Sequence, residues 1–175
     1  MTTRLLVIAA TVLIAWGMKR YYAGAEVEDL KWMLRPTTRL VSVVTGERFT
    51  WQAEEGYLSS DRLFLVEKSC AGINFMIAAF GLLVIAFAHR ARPGGAALAV
   101  LGGSLLAGYS AAVVINAVRI AVAMWLAAHP GFFRALKAAD VHRIEGILVY
   151  FGGLMLLHEV AKQFDRRMFA RGRTS

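Results

Sequence analysis

The chain of 175 residues holds a single cysteine, Cys70. An intramolecular disulfide is therefore excluded, and the thiol is free wherever it lies. Charge is scarce as well: 18% of residues are charged against 58% apolar, and mean hydropathy is +0.53. A soluble domain of this size runs nearer a quarter charged and half apolar. That deficit argues against a soluble protein and for one compact domain in a membrane. Internal repeats and low-complexity linkers are missing. No basic stripe interleaved with stacking aromatics exists, so the net charge of +8 does not describe a nucleic-acid binder. Metal-ligand spacing is also absent. His158-Glu159 opens like a zinc-protease motif, but Lys162 stands where the second histidine is needed. Neither a metal nor another cofactor is expected.

What the chain does have is four long apolar stretches. They run from Leu5 to about Tyr22, from Cys70 to Ala88, from Ala96 to Ala128, and from Ile144 to about Val160. A crossing of a hydrocarbon core roughly 30 Å thick takes about 20 residues. The third stretch is too short for two crossings and reads as one long helix. Its last third, from about Asn116, rises through the interface. Short basic loops favour the cytoplasm, and both His89-Arg90-Ala91-Arg92 and the tail from Lys162 through Arg173 are of that kind. Four crossings satisfy both, with the two chain ends inside and residues 25–69 and 129–143 outside. Lys19 and Arg20 then lie outside and would snorkel to headgroups. The first stretch also has a competing reading as a signal peptide, with Ala23-Gly24-Ala25 as its cleavage site.

The expectation is an all-α polytopic membrane protein. It divides into a first transmembrane helix over 1–25, an extracytoplasmic segment over 26–69, a three-helix membrane core over 70–161 and a basic cytoplasmic tail over 162–175. The segment 26–68 is slightly acidic, with eight acidic and six basic residues. In it, Leu30, Met33 and Leu34 mark an amphipathic turn, and Pro36 suits the start of a helix that ends near Gly46. Arg48–Trp51 and Arg62–Val66 read as short strands separated by Glu54-Glu55-Gly56 turn chemistry.

This topology places three reactive residues at the outer ends of three spans. Cys70 begins span two, Arg119 sits in the outer third of span three, and His142 begins span four. Helical spacing extends the pattern. Cys70, Asn74, Ala78 and Gly81 share one face, Ser104, Gly108, Ala112, Asn116 and Arg119 a second, and His142, Gly146 and Gly153 a third. Small residues along such faces let membrane helices approach closely, which is also all that ordinary packing requires. The ionisable residues ask for more. An arginine near a membrane core is costly and implies a function and a partner. A cysteine at a helix start beside Lys68 is biased toward thiolate, although Glu67 opposes this. Of the other histidines, His89 and His158 fall on the inner side, and His129 is the rival to His142.

Glu67-Lys68-Ser69-Cys70-Ala71-Gly72, Asn116-Ala117-Val118-Arg119-Ile120 and His142-Arg143-Ile144-Glu145-Gly146 together resemble the three motifs of the exosortase/archaeosortase family. The likeness covers roughly residues 45–155, and the short length is most similar to the branch called exosortase K. Ala71 departs from the serine that many members carry there, and the extra amino-terminal helices of longer members are not seen. The resemblance implies a multi-pass protein of the bacterial cytoplasmic (inner) membrane. It would cleave a carboxy-terminal sorting signal from secreted proteins on the extracytoplasmic side. Cys70 would be the nucleophile, Arg119 the oxyanion stabiliser and His142 the acid/base, with Glu67, Asn116 and Arg143 in supporting or substrate-facing places. The partners implied are the secreted substrate, the bilayer and an unidentified acceptor nucleophile. A non-enzymatic four-helix subunit of an export or assembly complex is the alternative from composition alone. A third possibility is a membrane thiol acyltransferase.

Overall fold

The computed structural model describes residues 2–129 and 138–171. It is mainly helical, and four of its helices are long and apolar enough to cross a membrane. The elements are α1 (Thr2–Gly24), a one-turn 3-10 helix (Glu28–Leu30), α2 (Lys31–Thr45), β1 (Phe49–Gln52), β2 (Gly56–Ser59) and β3 (Leu65–Val66). A second 3-10 turn (Lys68–Cys70), α3 (Ile73–Phe87), a third 3-10 turn (Ala88–Arg90), α4 (Gly95–Ala128) and α5 (Ala138–Arg171) follow.

Two compact units divide the chain. The first comprises Met1–Tyr22, Ile73–Ala111 and Gly153–Ser175. Its core is apolar: Val7 of α1 meets Phe80 and Val84 of α3 and Ala91, with Ile14, Val100 and Leu105 packed around them. Gly108 of α4 lies so close to the α3 backbone that an added Cβ would stand 3.1 Å from the Phe80 nitrogen. The basic turn is anchored to α5, because Arg90 Nε donates to Asp165 Oδ1 at 2.7 Å and Phe87 meets Phe164 edge-on at 6.2 Å. The Lys19 ammonium donates to Asn74 Oδ1 at 2.7 Å and lies over the Tyr22 ring.

The second unit comprises Ala23–Gly72 and Ala112–Gly152. Here α2 turns Leu34, Thr37, Thr38 and Val41 inward, and its threonines return their hydroxyl protons to carbonyls one turn back. The helix begins five residues before Pro36, which is tolerated inside it. β1, β2 and β3 form an antiparallel sheet in chain order. The middle strand was not anticipated. Gly56-Tyr57-Leu58-Ser59 has no alternating pattern, and its sides are closed by neighbours instead: Tyr57 packs edge-on to Trp51 at 4.9 Å, and Ser59 is buried and bonded to Asp61.

α4 is one uninterrupted helix of 34 residues, about 50 Å long at 1.5 Å per residue, which exceeds the hydrocarbon thickness. α5 is longer than the apolar stretch that announced it. It starts before His142 and continues through Lys162-Gln163-Phe164-Asp165-Arg166-Arg167. Charged residues end an apolar run but not a helix, and several of these are good helix formers. Most of the expected loop 129–143 lies outside the described residues, as does Arg173.

Candidate active site

Cys70 is not the first residue of a membrane helix. It ends the 3-10 turn Lys68–Cys70, and α3 starts only at Ile73. The interruption is Gly72, whose φ of +70° breaks the helical path. Only glycine is unstrained there, and an added Cβ would also stand 3.0 Å from Asn116 Cγ. The supposed face of Cys70, Asn74, Ala78 and Gly81 therefore does not exist as a continuous stripe. The cysteine is half-buried and held by its backbone. Its N–H donates to Glu67 O at 2.9 Å, and its carbonyl accepts from Asn116 Nδ2. The thiol meets Ser69 Oγ at 3.8 Å, while that hydroxyl donates to Glu67 Oε1 at 2.8 Å. Lys68 has a structural task where an activating cation was expected: its ammonium donates to the carbonyls of Ala25 at 2.7 Å and Ala23 at 3.3 Å.

Asn116 is fully buried. Its amide nitrogen donates to Cys70, and its Oδ1 accepts from the Tyr150 hydroxyl at 2.8 Å. One side chain of α4 thus ties the cysteine turn to α5. A turn further along α4, Arg119 lays its guanidinium over the Tyr150 ring, 5.3 Å from the centroid. Its Nη2 donates to His142 Nε2 at 3.1 Å. The route is open because residue 146 is glycine. An added Cβ at Gly146 would stand 3.0 Å from Arg119 Nε.

All three expected residues thus belong to this one unit and to one run of contacts: Cys70, Asn116, Tyr150, Arg119, His142. The thiol itself makes no hydrogen bond to His142 or Arg119 among the described residues. Glu67 enters through its backbone carbonyl, which holds the Cys70 N–H, and through Ser69, whereas Arg143 lies exposed and takes no part. His129, the rival histidine, is occupied elsewhere. Its Nδ1 donates to Trp125 O at 2.8 Å and its ring stacks on Trp125, which fastens it to the end of α4.

Two participants were not anticipated. Tyr150 lies eight residues beyond His142, two turns along the same face of α5. Glu145 lies three beyond it and is only 6% exposed. Neither carboxylate oxygen of Glu145 has a hydrogen-bond partner, nor has Arg119 Nε. His142 Nδ1 stands 3.8 Å from Glu145 Oε2. An acidic residue inside an apolar helix at i+3 from a histidine was the available signal. Next to Glu145, Val122 and Leu126 of α4 and Ile144 and Leu148 of α5 line an apolar cavity of about 280 Å³.

No metal-binding group of three or more His, Cys, Asp or Glu occurs among the described residues. No protein-family model, curated protein or solved structure matches the chain.

Proposed function

We propose that this chain is a membrane cysteine transpeptidase or protease of the exosortase type, with its thiol on the extracytoplasmic side. It acts on secreted proteins that carry a carboxy-terminal sorting signal. The observation that carries the reading is the single run of contacts from the Cys70 backbone through Asn116 and Tyr150 to Arg119 and His142. Residues far apart in sequence converge there without a metal-ligand cluster among them. The orientation follows from the basic loop at 89–92 and the basic residues after Lys162.

The chemistry then divides among three side chains. Cys70 thiolate attacks the scissile carbonyl, and its oxygen becomes an oxyanion. Arg119 leaves His142 Nε2 and donates to that oxyanion, a contact typically worth about 2.7–4 kcal/mol. The C–N bond breaks as protonated His142 gives its Nε2 proton to the departing amine, leaving a thioester on Cys70. An acceptor then attacks the thioester and passes its proton to His142, and the C–S bond breaks to restore the thiolate. An amine acceptor makes this transpeptidation, and water makes it proteolysis. The apolar cavity beside Glu145 has room for an apolar substrate side chain.

One observation favours a non-enzymatic membrane subunit instead: His142 Nε2 is occupied by Arg119, and the thiol contacts neither residue. The two readings separate on the secreted proteins of cells that lack the chain. Under the enzymatic reading a secreted protein accumulates with its carboxy-terminal segment uncleaved. Restoring the chain restores cleavage, and restoring it as Cys70→Ala does not. Full processing by the alanine variant would remove the enzymatic reading.

A further inference from the structure

Resting on the thiol reading above, we propose that Glu145 is a positioning residue for His142, holding its ring for exchange between Arg119 and Cys70. The starting point is a carboxylate that ordinary stability cannot explain. Glu145 is nine-tenths buried, and neither oxygen has a donor. Such a group is unfavourable unless something compensates it. It lies one turn past His142 on α5, with Oε2 3.8 Å from His142 Nδ1.

The other ring nitrogen fixes how the histidine is protonated. Arg119 Nη2 is 3.1 Å from Nε2, and a guanidinium can only donate. Nε2 therefore offers its lone pair, and the single proton of the neutral ring sits on Nδ1, toward Glu145. When Arg119 lets go, Nε2 is free to accept the Cys70 proton. The S–H bond breaks, an N–H bond forms at Nε2, and Nδ1–H stays where it was. The imidazolium so formed faces the Glu145 carboxylate, and the thiolate is left to react. Arg119 Nε, also buried without a partner, belongs to the same unfinished arrangement. Glu145 has no hydrogen bond to the thiol; it acts on the reaction through His142.

The test uses the full-length chain in detergent micelles and iodoacetamide as the probe. Cys70 is the only thiol, so alkylation reports it without interference, and the rate follows its thiolate fraction. Glu145→Gln is expected to slow alkylation at neutral pH by at least about tenfold, while Tm holds or rises because a buried charge has gone. Glu145→Asp, which keeps the charge, is expected to recover most of that rate. Three outcomes would overturn the proposal. One is wild-type alkylation in Glu145→Gln when His142→Ala is slow. Another is a loss that comes with a lower Tm, which makes Glu145 structural. The last is an aspartate variant no better than glutamine, which makes shape rather than charge the requirement. Failure of the underlying reading looks different: Cys70 of the unaltered chain would alkylate no faster than N-acetylcysteine, and His142→Ala would change nothing.

Discussion

Both units of this chain bury apolar side chains and hydroxyls, but they differ in the other polar groups they bury. The unit of α1, α3, the first half of α4 and the second half of α5 is sealed by Val7, Phe80, Val84 and Ala91. Its charged hydrogen bonds, Arg90 to Asp165 and Lys19 to Asn74, keep one or both partners partly exposed. The other unit buries Asn116 and Glu145 outright and keeps a guanidinium between an aromatic ring and an imidazole. Apolar burial of the first kind stabilises at about 25 cal/mol per Å². Polar burial of the second kind is at best neutral and is unfavourable wherever a donor or acceptor goes unmatched. Under the proposed function, the second unit keeps such an arrangement because the reaction needs it.

Substitution can break the comparison outright. Cys70→Ala is expected to abolish processing while leaving membrane insertion and Tm unchanged, because the turn is held through the Cys70 backbone, which alanine retains. Insertion and Tm are read alongside cleavage of the accumulating secreted protein. Cys70→Ser should be almost as inactive, since a hydroxyl is far less acidic than a thiol. Arg119 comes next. Arg119→Lys keeps the charge but replaces a planar fork with a point charge, so turnover should fall by at least about 100-fold. Substrate binding should change much less, because the contact strengthens as charge develops. Near-normal turnover would demote Arg119 to charge balance.

The comparison is sharpened by removing one side chain from each unit. Phe80→Ala empties the apolar core and should lower stability by about 3–5 kcal/mol while leaving Cys70 alkylation unchanged in the folded fraction. Asn116→Ala leaves the Cys70 carbonyl short of its side-chain donor. It should cost about 1–3 kcal/mol for that unsatisfied group and disturb alkylation as well. Thermal unfolding and iodoacetamide kinetics on the same samples decide between them.

These expectations also show what the sequence could carry. Loop charges and apolar runs were enough for four membrane-length helices, and helical spacing was enough for the buried stripe Ser104, Gly108, Ala112 and Asn116. Span two runs over Lys68–Arg90, within two residues of the expected start, but hydropathy does not register φ, so the break ahead of α3 was not legible. Cys70-Ala71-Gly72 is apolar enough to join α3, yet Gly72 turns the chain out of the helix. β2 was missed because its burial comes from neighbouring strands, not from its own alternation. Tyr150 was not legible as a participant because spacing along α5 does not say which of its faces meets Arg119, and Glu145 was legible only as an acidic residue three beyond a histidine in an apolar helix.

The smallest effect belongs to the sheet. Asp61 accepts from Ser59 Oγ at 2.5 Å and from Leu63 N at 3.0 Å, and these bonds, the hydroxyl first, hold its carboxyl below the usual carboxylate range. A depressed folded value means that its stabilisation is present above the ordinary pKa of about 3.9 and is lost as pH falls through the lowered one. Asp61→Asn should therefore flatten a slight acid-limb decline in Tm and leave turnover unchanged. An identical acid limb in both proteins would show that these bonds do not contribute.

The most direct measurement is the labelling of Cys70 in intact cells by a membrane-impermeant maleimide at neutral pH. Rapid labelling without permeabilisation is expected, with marked slowing in His142→Ala and little change in His129→Ala. Labelling only after the membrane is opened would put the thiol on the cytoplasmic side and contradict a role in processing secreted proteins. A rate equal to that of a free thiol and indifferent to His142 would contradict an activated nucleophile.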